Sequence, residues 1–252
     1  MEHRAIETAT PQARLEQLRK IVDEGVHRSL SWRQAQLDGL LQFVSDHEEA
    51  MLAALKADLG RCQAEARLAD ILMVRSELKL LRRNLRRWLQ PQPVRTPLAA
   101  QPGKSWLEQE PFGLALILGT WNYPFQQILL PLAGALAAGN AAAVKLPEIA
   151  VNSSFLMATH LPHYVDPEAV IVFAGGPETA SKLLAQRFDK IFYTGSSRVG
   201  RIVMKAAAEH LTPVTLELGG KNPALVAADA ALEVTARRIA WGRFINAGQI
   251  CV

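Results

Sequence analysis

A chain of 252 residues, 49% hydrophobic and 21% charged with a formal net charge of +4, has the composition of a globular protein able to bury a large core. No apolar run approaches the roughly 20 residues that span a bilayer, and the start, Met1-Glu2-His3-Arg4-Ala5, lacks the apolar region of a secretory signal. Two cysteines, Cys62 and Cys251, cannot build a disulfide framework, which points to a reducing, cytoplasmic setting.

Residues from about Pro11 to Leu89 read as helices. Leu15, Leu18, Ile21, Val22 and Val26 recur at helical spacing, as do Leu37, Leu40, Leu41 and Val44. A break near Gly60 precedes a helix through Leu68, Ile71, Leu72, Leu78 and Leu81. Lys79, Arg82, Arg83, Arg86 and Arg87 form a basic cluster on it. Without interleaved aromatics suited to base stacking, they read as the solvated face of an amphipathic helix, not a nucleic-acid surface. Leu78, Leu81, Leu85 and Trp88 are expected to pack inward.

Pro91, Pro93, Pro97 and Pro102 make the next stretch an extended connection. From Phe112 the rhythm changes. Leu114 to Leu118 is a continuous apolar run, as in a buried parallel strand. A helix through Ile128, Leu132 and Leu136 follows, closed by Gly139-Asn140. Strands are then predicted at 141–145, 170–173, 190–193 and 214–216, with helices at 153–160, 179–184 and 199–208 between them. This alternation predicts an α/β fold with a doubly wound parallel sheet. In such sheets ligands bind beyond the carboxyl ends of strands, where Asn122, Lys145 and Gly195 fall. After Asn222-Pro223 a short strand at 224–227 and a helix bearing Val234, Ile239, Trp241, Phe244 and Ile245 are expected.

Two stretches carry chemistry. Leu216-Glu217-Leu218-Gly219-Gly220-Lys221 reads as a strand entering a Gly-Gly turn, and Gly248-Gln249-Ile250-Cys251 places a cysteine after a flexible glycine. A thiolate can attack a carbonyl carbon while a carboxylate later activates water. Taken singly, the cysteine could equally be a small core residue and the glycines a plain turn. Gly195-Ser196-Ser197-Arg198-Val199-Gly200 spaces two glycines like a phosphate loop. It continues Arg201-Ile202, not Lys-Ser/Thr, and lacks the Gly-x-Gly-x-x-Gly spacing, so it is read as a strand-to-helix turn. His160 and His163 are separated by Pro162, and no metal is expected.

A third stretch, Gly119-Thr120-Trp121-Asn122-Tyr123-Pro124, joins these. With Tyr193-Thr194-Gly195-Ser196, the chain carries four ordered motifs and resembles the aldehyde dehydrogenase superfamily, most closely its short class 3 branch, which includes fatty-aldehyde enzymes. The resemblance implies a Rossmann-like cofactor domain over residues 1–216, divided into a helical part (1–90), an extended arm (91–112) that helps pair subunits, and a parallel sheet (113–216). Residues 217–252 would then begin a catalytic domain, with more of it expected beyond Cys251, so that the chain as written would be inactive.

By the same resemblance, Cys251 is the nucleophile, Glu217 the base for hydrolysis, and Asn122 the oxyanion donor beside the backbone N–H of Cys251. Lys145 and Glu148 would hold the adenosine ribose, although Leu146-Pro147 replaces the family's Pro-Ser order. Trp121, Thr194, Gly195, Ser196, Val199, Leu218 and Gly219 would contact the dinucleotide, NAD or also NADP. Tyr123, Trp241, Ile245 and Ile250 would line an entry for medium-chain aliphatic or aromatic aldehydes, and the complete protein would be a homodimer. The alternative is a non-catalytic dinucleotide-binding or interaction protein on the same sheet.

Overall fold

Leu114, Leu116 and Leu118 alternate with Ala115 and Ile117 along one wholly buried strand, and this period of two divides the core into two layers. The computed structural model describes residues 11–251; the Met1–Ala5 segment lies outside them. Helices α1 (Pro11–Glu24), α2 (Leu30–Asp46), α3 (Glu48–Leu59) and α4 (Gln63–Ala66) come first. A π-helical stretch, Arg67–Leu72, joins α4 to α5 (Met73–Trp88). Strands β1 (Gln92–Val94) and β2 (Ser105–Leu107) pair antiparallel as an exposed hairpin.

The sheet unit follows as β3 (Leu114–Leu118), α6 (Gln126–Ala137), β4 (Ala141–Lys145), α7 (Val151–His160) and β5 (Val170–Phe173). Then come α8 (Pro177–Leu184), β6 (Lys190–Gly195), α9 (Ser197–Ala208) and β7 (Val214–Leu218). The five strands are parallel, in the order β5-β4-β3-β6-β7. The chain winds outward from β3 to β5, then returns to the other side of β3 with β6. That reversal places a crevice at the carboxyl ends of β3 and β6.

Each face of the sheet has its own cover. Ile117, Ala142, Val144 and Val170 pack with α2, α5 and α6, whereas Leu116, Ala143, Ile171 and Ile191 pack with α1, α8 and α9. Polar groups fix the layers to the strand starts. The Asn140 carboxamide accepts from the Gly113 N–H at 3.0 Å and donates to the Ala135 carbonyl at 3.1 Å. The Asp189 carboxylate accepts from Leu114 N at 2.8 Å and from Arg19 at 2.6 Å. Among the described residues no helix is long and apolar enough to cross a membrane.

Four sequence expectations need correction. The first helix stops at Glu24, because Gly25 takes a left-handed conformation (φ 72°), and Val26 lies exposed in a 3-10 turn. Trp88 is not packed inward; it is 41% exposed at the end of α5, past the last core-facing position, Leu85. The predicted strand at 224–227 is absent. Pro223 removes a donor just before it, and Leu225 stands 93% exposed with no strand beside it among the described residues. The last strand, expected over 214–216, runs on to Leu218, so that Glu217 lies within β7.

Helix α2 crosses the segment after α7 at Gly39, and the contact leaves no room for a methyl group. A Cβ built there would lie 1.8 Å from the Tyr164 carbonyl oxygen. The crossing is fixed by two hydrogen bonds to Asp166, since Trp32 donates to its carboxylate at 2.8 Å and Gln36 accepts from its N–H at 2.8 Å. Gly39→Ala, ordinarily a gain in a helix, should therefore destabilise by about 1–3 kcal/mol. The check is a urea titration, in which the midpoint falls while the slope is unchanged.

Candidate active site

At the carboxyl ends of β3, β4 and β6 lies a cavity of about 510 Å³. Trp121, Lys145, Glu148, Thr194, Gly195, Ser196 and Val199 all line it, so seven of the nine expected cofactor residues meet at one place. Leu218 and Gly219 are not among the lining residues. Leu218 instead faces Gly200 of α9, where a Cβ would come within 3.1 Å of its side chain. Arg198 lines the cavity as well, together with Ile149, Ala180 and Ser181, which sequence reasoning did not select.

Each lining residue has a local cause. Lys145 ends β4, and its ammonium, nearly buried, pairs with the Glu148 carboxylate three residues on. Burial alone would raise the Glu148 pKa. The hydrogen bond from Lys145, with its charge and a backbone N–H, outweighs burial and holds the carboxyl below its usual value. Leu146 is buried and donates its N–H to Phe173 at 2.9 Å, which keeps the turn on the sheet despite the displaced proline. At Gly195 (φ 157°) a Cβ would sit 2.2 Å from the Tyr193 hydroxyl, so only glycine leaves this approach open. The Ser196 hydroxyl accepts from the Val199 N–H at 3.4 Å and caps α9. The Thr194 hydroxyl is buried and has no hydrogen-bond partner among the described residues.

The second half of the site lies beside this cavity. The Asn122 carboxamide donates to the Gln249 carbonyl at 2.9 Å, and the Gly220 N–H donates to the Cys251 carbonyl at 2.6 Å. Three segments far apart in sequence are thereby tied together: the Trp-Asn loop, the Gly-Gly turn after Glu217, and the turn that delivers Cys251. Glu217 itself is exposed, in register with Thr194 on β6. Cys251 is exposed and free. One amide hydrogen of Asn122 is thus engaged by the cysteine turn, and the second remains for a ligand.

Behind these loops lies a buried polar network. Arg61 pairs with Asp70 at 2.6 Å, both side chains almost wholly buried. Its guanidinium also donates to the Asn246 side chain and to the Asn122 carbonyl, and covers the Tyr123 ring at 4.6 Å. Burial pushes the Asp70 carboxyl up to about 6, against the pull of Arg61 and of the Gln126 N–H. Burial likewise raises the Tyr123 phenol. The signal available in the sequence was Asp70 itself, a carboxylate set among Leu68, Ile71, Leu72 and Val74 on a core-facing helix.

Of the expected substrate pocket, Tyr123 is half-buried under Arg61, and Ile245 and Ile250 are half-buried in and after the cysteine turn. Trp241 is 69% exposed on α10 (Leu232–Phe244), a helix with no buried residue, and Phe244 is 73% exposed.

A parallel sheet covered on both faces, with a cavity at its switch point and a cysteine turn against it, places the chain among doubly wound α/β proteins that seat ligands beyond their strand ends. Residues 5–252 match the model of the aldehyde dehydrogenase family, and the chain belongs to that family. It is 45% identical over 238 residues to human aldehyde dehydrogenase family 3 member B1, covering 94% of this chain and 51% of that protein. To the dog aldehyde dehydrogenase named dimeric NADP-preferring it is 42% identical over 238 residues, 94% of this chain and 52% of that one. A Staphylococcus aureus AldH structure in a substrate-bound state superposes with a TM-score of 0.94 at 36% identity, over 97% of this chain and 54% of that one. The chain spans about half the length of these relatives.

The cap on α9 gives a local test. Ser196→Ala removes the acceptor for the Val199 N–H and should cost about 1 kcal/mol, whereas Ser196→Asp restores an acceptor and most of the loss. Thermal unfolding of the three forms checks it; equal midpoints for all of them would show that the cap contributes nothing.

Proposed function

We propose that the protein containing this chain oxidises aldehydes to carboxylic acids with a nicotinamide dinucleotide, through a covalent intermediate on Cys251. The observation that carries this reading is that Asn122, next to the cavity-lining Trp121, is bonded to the turn before Cys251, while the Gly-Gly turn that follows Glu217 is bonded to Cys251 itself. The cavity suits a dinucleotide. Gly195 leaves the backbone bare, the Thr194 hydroxyl lacks a partner among the described residues, and the start of α9 opens onto it. Bound there, the nicotinamide supplies the hydride acceptor.

Cys251 attacks the aldehyde carbon as thiolate. The free amide hydrogen of Asn122 and the Cys251 N–H would stabilise the oxyanion; loss of one such donor typically costs ~2.7–4 kcal/mol. Once the carbon is oxidised to the thioester, Glu217 takes a proton from water, whose oxygen attacks the carbonyl and releases the acid and the thiol. Tyr123, Trp241, Ile245 and Ile250 form the apolar approach for medium-chain aliphatic or aromatic aldehydes. Residues 1–216 serve as the dinucleotide-binding unit and 217–252 open the catalytic one. The exposed β1–β2 hairpin pairs subunits in a homodimer.

Glu148 favours NAD, because its carboxylate accepts from ribose hydroxyls and repels a 2′-phosphate. Lys145 already neutralises it and Arg198 lines the same cavity, so NADP is accepted too. Comparing kcat/KM for the two dinucleotides checks this, with Glu148→Gln shifting the ratio toward NADP. A wild-type preference for NADP would reverse the assignment of Glu148.

The reaction order is tested in a protein completed to the length of its relatives. Cys251→Ala should abolish aldehyde oxidation and leave dinucleotide binding intact; retained turnover would remove Cys251 as nucleophile. Glu217→Gln should give a rapid burst of NADH near one per site and then a slow phase. Loss of the burst together with turnover would place Glu217 before the thioester.

A further inference from the structure

We propose that Arg61 is a positioning residue for the reaction: it locks the loop carrying Asn122 to the turn carrying Cys251, so that oxyanion donor and nucleophile keep a fixed separation. The proposal rests on the reading of Cys251 as nucleophile.

Every nitrogen of the guanidinium is committed. Nη1 donates to Asp70 at 2.6 Å, Nε and Nη2 donate to Asn246 Oδ1 at 3.0 and 2.6 Å, and Nη2 donates to the Asn122 carbonyl at 2.5 Å. Apart from Asp70, these partners lie on the two segments that carry the reacting groups. Asn246 completes the lock, because its amide donates to the Asn122 carbonyl at 2.9 Å and to the Gln249 carbonyl at 3.1 Å. Asp70 holds the loop from its far end by accepting from the Gln126 N–H at 2.8 Å. The loop is thus held at Asn122 by Arg61, which precedes α4, and at its far end by Asp70 in the π-helical stretch.

The cysteine turn needs this hold. Asn246 and Ala247 both take left-handed conformations, with φ of 50° and 55°. Asparagine tolerates this conformation; alanine does so at a cost, and two in succession persist only when their surroundings over-determine them. Arg61 on the Asn246 side chain and Glu65 on the Asn246 N–H are those surroundings. A planar fork with five donors can serve Asp70, Asn246 and Asn122 together, which a point charge cannot.

The discriminating variant is Arg61→Met with Asp70→Asn. It leaves no unpaired buried charge and keeps an acceptor for Gln126. In the completed protein, kcat for aldehyde oxidation should fall by about 10²-fold, the effect of a roughly 1 Å misplacement, with the dinucleotide KM unchanged. Arg61→Lys, which retains the positive charge but not the planar fork, should recover part of the loss. In the chain of 252 residues, backbone amides of 246–251 should exchange with deuterium several-fold faster in the double variant, while strands β3 and β6 exchange as before. Unchanged kcat, or unchanged exchange at 246–251, would overturn the proposal. So would faster exchange across the whole sheet, which would mark a role in stability alone. If the unsubstituted protein oxidises no aldehyde, the proposed activity fails, and the exchange experiment still decides whether Arg61 holds the turn.

Discussion

A parallel sheet covered on both faces can offer a ligand little except its strand ends. Here α2, α5 and α6 close one face and α1, α8 and α9 the other. The reversal of winding between β5 and β6 then opens a gap at the carboxyl ends of β3 and β6. The position of the cavity is therefore a consequence of topology before any lining residue is chosen. Its walls follow the same logic. Lys145 and Thr194 are terminal or near-terminal strand residues, and Ser196 stands where a helix must be capped.

Much of this was legible in the sequence because it depends on local rules. Five strands were placed from apolar runs, and the turns after them from glycine and proline. The Gly195–Gly200 stretch reads as a strand-to-helix turn and Gly60 as a helix break. Where the reading failed, the deciding factor lay elsewhere in the fold. Leu225 and Val226 have strand-like chemistry, but a strand needs a neighbour, and none of the described strands lies alongside. Trp88 follows the helical period, yet the core ends before it. Leu218 belongs to a motif that suggests ligand contact, but its side chain fills the space above Gly200.

The polar network behind the site was the least legible part. Arg61, just ahead of a helix, looks like a surface charge, only Asp70 stands among apolar neighbours, and nothing local marks Asn246 as a partner. Their burial carries a desolvation cost that an isolated pair would not recover. It becomes tolerable because Nε and Nη2 of Arg61 and the second oxygen of Asp70 also meet fixed backbone groups or a carboxamide. The π-helical stretch at Arg67–Leu72 is part of the same arrangement, for it contains Asp70 between two α-helical turns. The site is thus assembled in two ways. The cavity arises from backbone geometry over one contiguous sheet unit, and the region around the cysteine from side-chain bonds between remote segments.

That second mode has a consequence for the order of assembly. Arg61 and Asn246 are 185 residues apart in sequence, and contacts of such separation form late, because the loop between them must first be ordered. A ribosome adding about 5–20 residues per second needs roughly 10–40 s to reach Asn246 after Arg61 has been made. During that interval Asp70 and the Asn122 carbonyl can already hold the guanidinium, while its remaining donors wait for a carboxamide not yet synthesised. The nascent chain therefore carries a half-filled receptor for the segment around Asn246, and the left-handed turn before Cys251 is set only when that segment arrives.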